Sequence, residues 1–296
     1  MNLHKLDLTS LSLFNLVART GSISQGAELA MLAVGAASKR ITDLENAFGV
    51  ELLTRHSRGV RLTAAGQTLF LHIQRLLGDI ELMGADLSDH AKGLIGVVRL
   101  WANTSAITQF LPSGLAQFTQ QQPQIRIELN EADSAEIVLA VLDGRADMGI
   151  FADRTPTMGL EVTRYSSDHL VLVVPRNHPL ARRKKVSFAQ AVEYEFVSLT
   201  QTTSLANRLE SESAQLGKPL RIRIQVRSFD AMCQMVAAGL GIAILPELAA
   251  KPLVRSLALC SIALDEAWVH RELLLGVRDL GAMSKPVRTL WDHLCG

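Results

Sequence analysis

Cysteine is scarce: Cys233, Cys260 and Cys295 are the three in 296 residues, far apart and in no metal-ligand spacing. An odd count without paired motifs argues against a disulfide framework or a zinc cluster and suits a reducing cytoplasm. The eight histidines are scattered, with no His-Glu-x-x-His arrangement, so the usual metallohydrolase signature is missing. There is also no Gly-x-Ser-x-Gly elbow and no phosphate-binding Gly-Lys-Ser/Thr loop. Gly239-Leu240-Gly241 lacks the third glycine of a dinucleotide fingerprint and leads into a strand instead of a helix. These absences speak against an enzyme and against a bound metal or cofactor. Charge of one sign is lacking too. Thirty Lys and Arg meet 29 Asp and Glu for a net of +1, so global charge does not advertise a nucleic-acid binder. The longest apolar run, near Met235–Leu245, is broken by two glycines and is too short to span a bilayer. The opening Met1-Asn2-Leu3-His4-Lys5 has no apolar core, so no signal peptide is expected. The expectation is a soluble, cytoplasmic protein with no membrane partner.

What is present is an ordinary globular composition, 48% hydrophobic and 20% charged, with length enough for two or three domains. Residues 1–66 carry seven basic and five acidic side chains, and the basic ones gather at Lys39/Arg40 and at Arg55/Arg58/Arg61. Leu8, Leu11, Phe14 and Val17 recur every three residues and make one apolar helical face. Gly21-Ser22 ends that helix, and Ser22 or Ser24 can cap a second one packed through Ala27, Ala30 and Met31. A third helix is predicted from about Gly35 to Ala47, burying Ala37, Ile41, Leu44 and Phe48. Its other face carries Gly35, Ala36, Lys39, Thr42 and Asp43, with Ser38 at the edge. That face is small near its start, so it can approach a base edge closely, as the recognition helix of a helix-turn-helix does. Leu52–Leu62, with Ser57-Arg58-Gly59 as a turn between short extended pieces, has the form of a wing whose arginines can hold phosphate or enter a minor groove.

From Asp7 to Gly66 the pattern resembles the winged helix-turn-helix of LysR-type transcriptional regulators. The resemblance rests on Ser38, Ile41, Leu44, Glu45, Gly49, Leu52, Arg55, Arg58, Leu62, Thr63 and Gly66. It implies duplex DNA as partner, bound at an interrupted palindromic operator. Ser38, Lys39, Arg40, Arg55, Arg58, Arg61 and Thr63 are the expected DNA contacts. Three departures stand out: Ala33-Val34-Gly35 replaces a Ser-Gln-Pro-like start to the third helix, Ala30 a leucine and Leu53 a phenylalanine. Losing the serine cap costs about 1 kcal/mol locally. Losing the glutamine removes a group that could read adenine, so the base preference is not inherited with the resemblance.

Leu69, Ile73, Leu76, Ile80, Met83 and Leu87 follow at alternating spacings of four and three, an a/d seam of nearly three heptads. The seam predicts a helix that pairs with a second copy, and the family uses this helix as its dimer interface. The resemblance further implies a dimer of dimers and contact with RNA polymerase. Ala91-Lys92-Gly93 marks a hinge.

Beyond Gly96, extended segments alternate with helical ones, which predicts an α/β domain with mainly parallel sheets. Candidate strands are 97–101, 126–129, 147–151, 170–175, 196–198, 222–226 and 242–245; candidate helices are 110–121, 135–143, 204–216 and 230–238. Leu111-Pro112, Asp143-Gly144-Arg145-Ala146-Asp147, Pro175-x-x-His178-Pro179-Leu180 and the run Ala237–Pro246 make this part similar to the effector-binding domain of the same family, which is built like a periplasmic binding protein. The expected division is a DNA-binding domain at 1–66, a linker helix and hinge at 67–92, and an effector-binding domain at 93–296. Within the last, a first subdomain covers about 93–164 and 268–296 and a second about 165–267, with crossings near 163–168 and 265–270.

In open α/β sheets ligands bind beyond the carboxyl ends of strands, at helix N-termini. Asn103, Thr104 and Ser105, Ser134, Thr202, Thr203 and Ser204, and Ser228 stand at such junctions. They are the expected effector contacts, although each residue type is also an ordinary helix cap. Converging hydroxyl and amide groups suit a small organic anion; Asp133 would oppose one unless paired. Two other readings remain open: a regulator whose C-terminal domain is purely structural, and a solute-binding protein.

Overall fold

The computed structural model describes residues 6–56, 59–91 and 96–296, apart from the side chains of 75, 81, 82 and 85–91. The chain forms two compact units, Met1–Ser88 and Asp89–Gly296.

The first unit opens with α1 (Leu8–Thr20), α2 (Ile23–Leu29) and α3 (Val34–Phe48). Asp7 caps α1 by accepting from the Ser10 N–H at 2.9 Å, and Ser22 caps α2 through the Gln25 N–H at 3.3 Å. Ala33 precedes α3 with no side-chain cap, the structural consequence of the missing serine. Gly49 closes α3 in the left-handed conformation, φ 71°, which a side chain would resist. Leu13, Phe14, Val17, Ala27, Ala37, Ile41 and Leu44 make the core, as the helical spacing requires. Met31 does not join it. It stands 93% exposed at φ 54°, because the chain turns there between α2 and α3.

A hairpin of β1 (Leu53–His56) and β2 (Gly59–Leu62) follows, antiparallel with Arg55 opposite Val60 and Thr54 opposite Arg61. Then α4 runs Ala64–Ala91. Here the expected seam divides between the unit's own core and the exposed face of α4. Ile73 is 2% exposed inside the core of its own unit, and Leu69 packs beside it with Phe70 and Leu77. The first turns of α4 complete the helix-turn-helix core, so these two side chains are used within the unit. Leu76 and Met83 are exposed, 42% and 57%, and Ile80 is half-buried. The side chain of Leu87 lies outside the described residues, as does Arg58 at the hairpin tip.

The second unit comprises β3 (Gly96–Ala102), α5 (Thr104–Gln109), α6 (Leu111–Gln121), β4 (Ile125–Glu131), α7 (Ser134–Leu142), β5 (Met148–Ala152) and β6 (Glu161–Pro175). It continues through β7 (Lys185–Val186), α8 (Phe188–Ala191), β8 (Phe196–Leu199), α9 (Ser204–Gln215), β9 (Ile222–Val226) and α10 (Phe229–Ala237). It closes with β10 (Ala243–Pro246), α11 (Glu247–Ser256), β11 (Leu259–Leu264), β12 (His270–Val277) and α12 (Lys285–Cys295). The strand order β4-β3-β5-β12-β6-β11-β7, with β10 also on β6, divides into two lobes. In the first lobe α6 and α12 cover one sheet face through Leu111, Phe118, Leu290 and Trp291, while α7 covers the other through Ile137, Val138 and Val141. The second lobe has its own core around Leu172, Phe188, Phe196, Met232 and Ile244.

The sheet is mixed, not mainly parallel. β3 pairs in parallel with β4 and β5, and β8 with β9, but β12 is antiparallel to β5 and β6, as are β10 and β11 to β6. The reason is β6 itself. Up to His169 it pairs with β12, and from Leu170 onward with β10 and β11. One 15-residue strand therefore carries the chain between lobes, and the strand that returns beside it must run the other way. The outward crossing falls at His169/Leu170, slightly later than expected. The return runs through a 3-10 turn at Ala267–Val269. Among the described residues no helix is long and apolar enough to cross a membrane.

Candidate DNA-binding surface and ligand cleft

On α3, Gly35, Ala36, Lys39, Thr42 and Asp43 are exposed, Ser38 is half-buried, and Ala37, Ile41 and Leu44 are inside. Nothing lies within 4 Å of where a Gly35 Cβ would stand. Lys39 is thus presented on an open face beside small residues. Arg40 is placed differently: its Nη1 lies 3.1 Å from Asp7 Oδ2 and donates to Ser10 Oγ at 3.0 Å. This guanidinium joins α3 to the cap of α1. Burial, the largest influence on the Asp7 carboxyl, raises its pKa, but the Ser10 bonds and Arg40 outweigh it and the net shift is downward.

Arg55 and Arg61 project exposed from the two hairpin strands. Thr63, expected to meet DNA, has its hydroxyl committed to structure. It accepts from Gly66 N–H at 3.0 Å and donates to the Glu51 carbonyl at 2.7 Å, capping α4. A residue with no assigned role beforehand, Glu45, connects recognition helix and wing: its Oε1 accepts from the N–H groups of Leu52 at 2.9 Å and Leu53 at 3.2 Å. Glu45→Ala is expected to cost about 2–3 kcal/mol by orphaning two donors on buried residues, while Glu45→Gln keeps an acceptor and loses less. Circular dichroism melts of the two variants check this; equal melting would show that the Glu45 contact contributes nothing to stability.

In the second unit, the expected polar residues divide. Asn103 Nδ2 donates to Ser134 Oγ at 3.3 Å, and Ser134 Oγ lies 3.5 Å from Ser204 Oγ, so these three link the first lobe to the second. Ser134 also accepts from the Ala152 N–H at 3.2 Å. Asn103 and Thr203 cap α5 and α9, accepting from Ala106 N–H at 2.9 Å and Ala206 N–H at 3.3 Å. Thr104 bonds Glu131 at 2.5 Å, and Ser105 accepts from Arg271 Nη2 at 3.1 Å. Ser228 caps α10 through Ala231 N–H at 3.2 Å and belongs to neither cavity described next. A narrow space of about 20 Å³ lies among Asn103, Ser105, Ser134, Thr203 and Phe229. Beside it, a pocket of about 250 Å³ opens among Ser134, Asp153, Arg154, Thr202, Ser204 and Arg208. Trp101 packs against the first lobe's core under the Arg145 guanidinium, 5.1 Å from its ring centre.

The charged lining of this cleft escaped the sequence reading. Asp168 on β6 and Arg271 on β12 form a buried pair, Nε to Oδ1 at 2.8 Å, with Gln109 Nε2 on Asp168 at 3.1 Å. Arg154 bonds Glu212 at 3.0 Å, and Arg208 stands 3.6 Å from Asp153. One signal was available: Leu205, Arg208, Leu209 and Glu212 share a face of α9, and two charges on a buried stripe call for partners. Burial raises the Cys233 thiol to about 11, so that sulfur is inert packing. Among the described residues no group of three His, Cys, Asp or Glu could hold a metal.

A winged helix-turn-helix joined to a two-lobed α/β domain with a polar cleft defines a ligand-responsive DNA-binding protein. The sequence matches the bacterial regulatory helix-turn-helix of the lysR family over residues 8–67 and the LysR substrate binding domain over residues 91–295. The chain belongs to the LysR-type transcriptional regulators, a family of regulators and not of enzymes. It is 28% identical over 271 residues to the uncharacterized HTH-type transcriptional regulator YbhD of Escherichia coli (strain K12), covering 91% of this chain and 84% of that one. Full-length CbnR complexed with its target DNA has a similar fold, with TM-score 0.66 and 21% identity over 98% of this chain and 99% of that one. The effector binding domain of QuiR in complex with shikimate matches at TM-score 0.60 and 19% identity, over 67% of this chain and 95% of that one.

Proposed function

We propose that this regulator reads its operator through the exposed N-terminal face of α3, with Lys39 and Ser38 at the major groove and Arg55, Arg58 and Arg61 of the wing on backbone or minor groove. The observation that carries this is the open, small-residue surface at Gly35 and Ala36 beside the exposed Lys39. Arg40 and Thr63 act indirectly, holding α3 and α4 in place. Domains are proposed at 1–66, 67–92 and 93–296. Leu76, Ile80 and Met83, continued by Leu87, pair with a second copy, because two recognition helices must meet successive grooves of an interrupted palindrome. A dimer of dimers that contacts RNA polymerase in the cytoplasm is the assembly proposed.

The effector is a small organic molecule seated between the lobes, where Asn103, Ser134 and Ser204 meet. CbnR's target DNA and QuiR's shikimate support the two halves of this reading by analogy of fold. Ligand binding shifts lobe closure, and regulation follows only if the two states differ in DNA affinity. Genome-wide mapping of bound DNA tests the first half. Discrete peaks are expected, one beside the protein's own gene; uniform background with inducer present would refute a specific regulator. On the site so found, Lys39→Ala is expected to weaken binding and to reduce the salt dependence by about one ion per protomer engaged. Fluorescence anisotropy across salt concentrations reads both, and dissociation into monomers would show that the residue was misplaced.

A further inference from the structure

Three guanidinium groups line the larger pocket, and they differ in how well they are satisfied. Arg271 is held by Asp168 and Ser105, and Arg154 reaches Glu212 at 3.0 Å. Arg208 has no comparable partner. It is only 8% exposed, its Asp153 neighbour stands at 3.6 Å, outside hydrogen-bond range, and its Nε is buried with no acceptor among the described residues. A guanidinium offers five donors in a planar fork, and burying them unmet is costly. Burial, and after it the charge of Arg154, depresses the Arg208 pKa, with Arg271 adding to this and Asp153 and Glu212 opposing it. With Asp168, these carboxylates balance the formal charges in the cluster; what is missing is a hydrogen-bond acceptor in reach of Arg208. The start of α9, at Ser204 on the same pocket, adds N–H groups that favour an anion.

We propose that this pocket is the oxyanion-recognising end of the effector site, with Arg208 as the bidentate anchor for a carboxylate or phosphate group and Arg154 as a second, mobile contact. The planar fork fits either group in two parallel bonds. This rests on the cleft reading above and adds the chemical class of the ligand and the residues that select it.

The test follows thermal melting of the full-length protein by tryptophan fluorescence, in inorganic phosphate and in succinate, each against sodium chloride at matched ionic strength. Trp101, Trp268 and Trp291 all lie in the second unit, so the signal reports on the unit that holds the pocket. A saturable rise in melting temperature with one anion is expected, and which anion acts distinguishes a phosphorylated effector from a carboxylate. Arg208→Gln is expected to abolish the rise without lowering the melting temperature of the free protein. Arg154→Gln, at a half-exposed position, is expected to weaken affinity about tenfold or more. Should Arg208→Gln fail to fold, Arg154→Gln decides, and unchanged affinity overturns the proposal. It is also overturned if neither anion stabilises beyond chloride. Thr202→Trp, an exposed rim position, separates the two readings. Binding lost there but kept in Arg208→Gln sinks the oxyanion anchor and leaves the cleft. Binding kept in both variants sinks the two together.

Discussion

Asp168→Ala is expected to destabilise the second unit by about 3–5 kcal/mol, the usual cost of leaving one partner of a buried ion pair uncompensated. The pair is fully enclosed: the side chains of Arg271 and Asp168 are 3% and 0% exposed. With the carboxylate gone, Arg271 keeps Ser105 as its acceptor and remains a charge in a low-dielectric interior. The position makes the effect large for the whole unit, because Asp168 lies on β6 and Arg271 on β12, in register opposite each other beside the crossing between lobes. The double replacement Asp168→Leu with Arg271→Met is expected to recover most of the loss, since apolar residues of similar volume often replace a buried pair at little cost. Urea titration followed by tryptophan fluorescence measures both variants. A single-variant loss below about 1 kcal/mol would place the pair in the range of exposed ones and contradict its burial.

Gly66→Ala is expected to damage the other unit by about 3 kcal/mol and to abolish operator binding, with the tryptophan signal unchanged. A Cβ at Gly66 would stand 2.0 Å from the Leu52 carbonyl oxygen and 3.0 Å from its carbon. That carbonyl cannot retreat easily. It accepts from the Thr63 N–H at 3.0 Å, while the Leu52 and Leu53 N–H groups are bound to Glu45. Relief therefore requires moving Leu52 and the start of α4 apart, which strains the Glu45 tie between recognition helix and wing. The gain in helix propensity from glycine to alanine, at most about 1 kcal/mol, does not offset this. Differential melting by circular dichroism against fluorescence, together with anisotropy on the mapped operator, reads the effect. Retained DNA binding would mean that the wing is not needed in this register.

The core face of α3 was legible at the level of single residues because its contacts are short-range and periodic. Ala37, Ile41 and Leu44 on α3 alternate with Lys39, Thr42 and Asp43 at helical spacing, and a helix can present them in one way only. Contacts that reach across the chain carry no such local pattern. Arg40 and Thr63 look like free polar groups until Asp7 and Glu51 are brought beside them, and Ile73 reads as a dimer residue until α4 folds back on the core. In the second unit, β11, β12 and α11 escaped notice. Leu273-Leu274-Leu275 carries no period to separate strand from helix, and Pro252 inside α11 mimics a break.

By itself the sequence determined the family, the three helices and hairpin of the N-terminal unit and the small polar residues at the strand-to-helix junctions, because each is written within a few neighbouring positions. The tertiary structure alone decided the mixed sheet, the double crossing through β6 and β12, and the meeting of the buried Arg271 and Arg208 with the half-exposed Arg154 in the cleft. Asp168 and Arg271 are 103 residues apart. No local pattern relates them, and only the closing of two lobes around a shared pair of strands brings those charges out of water together.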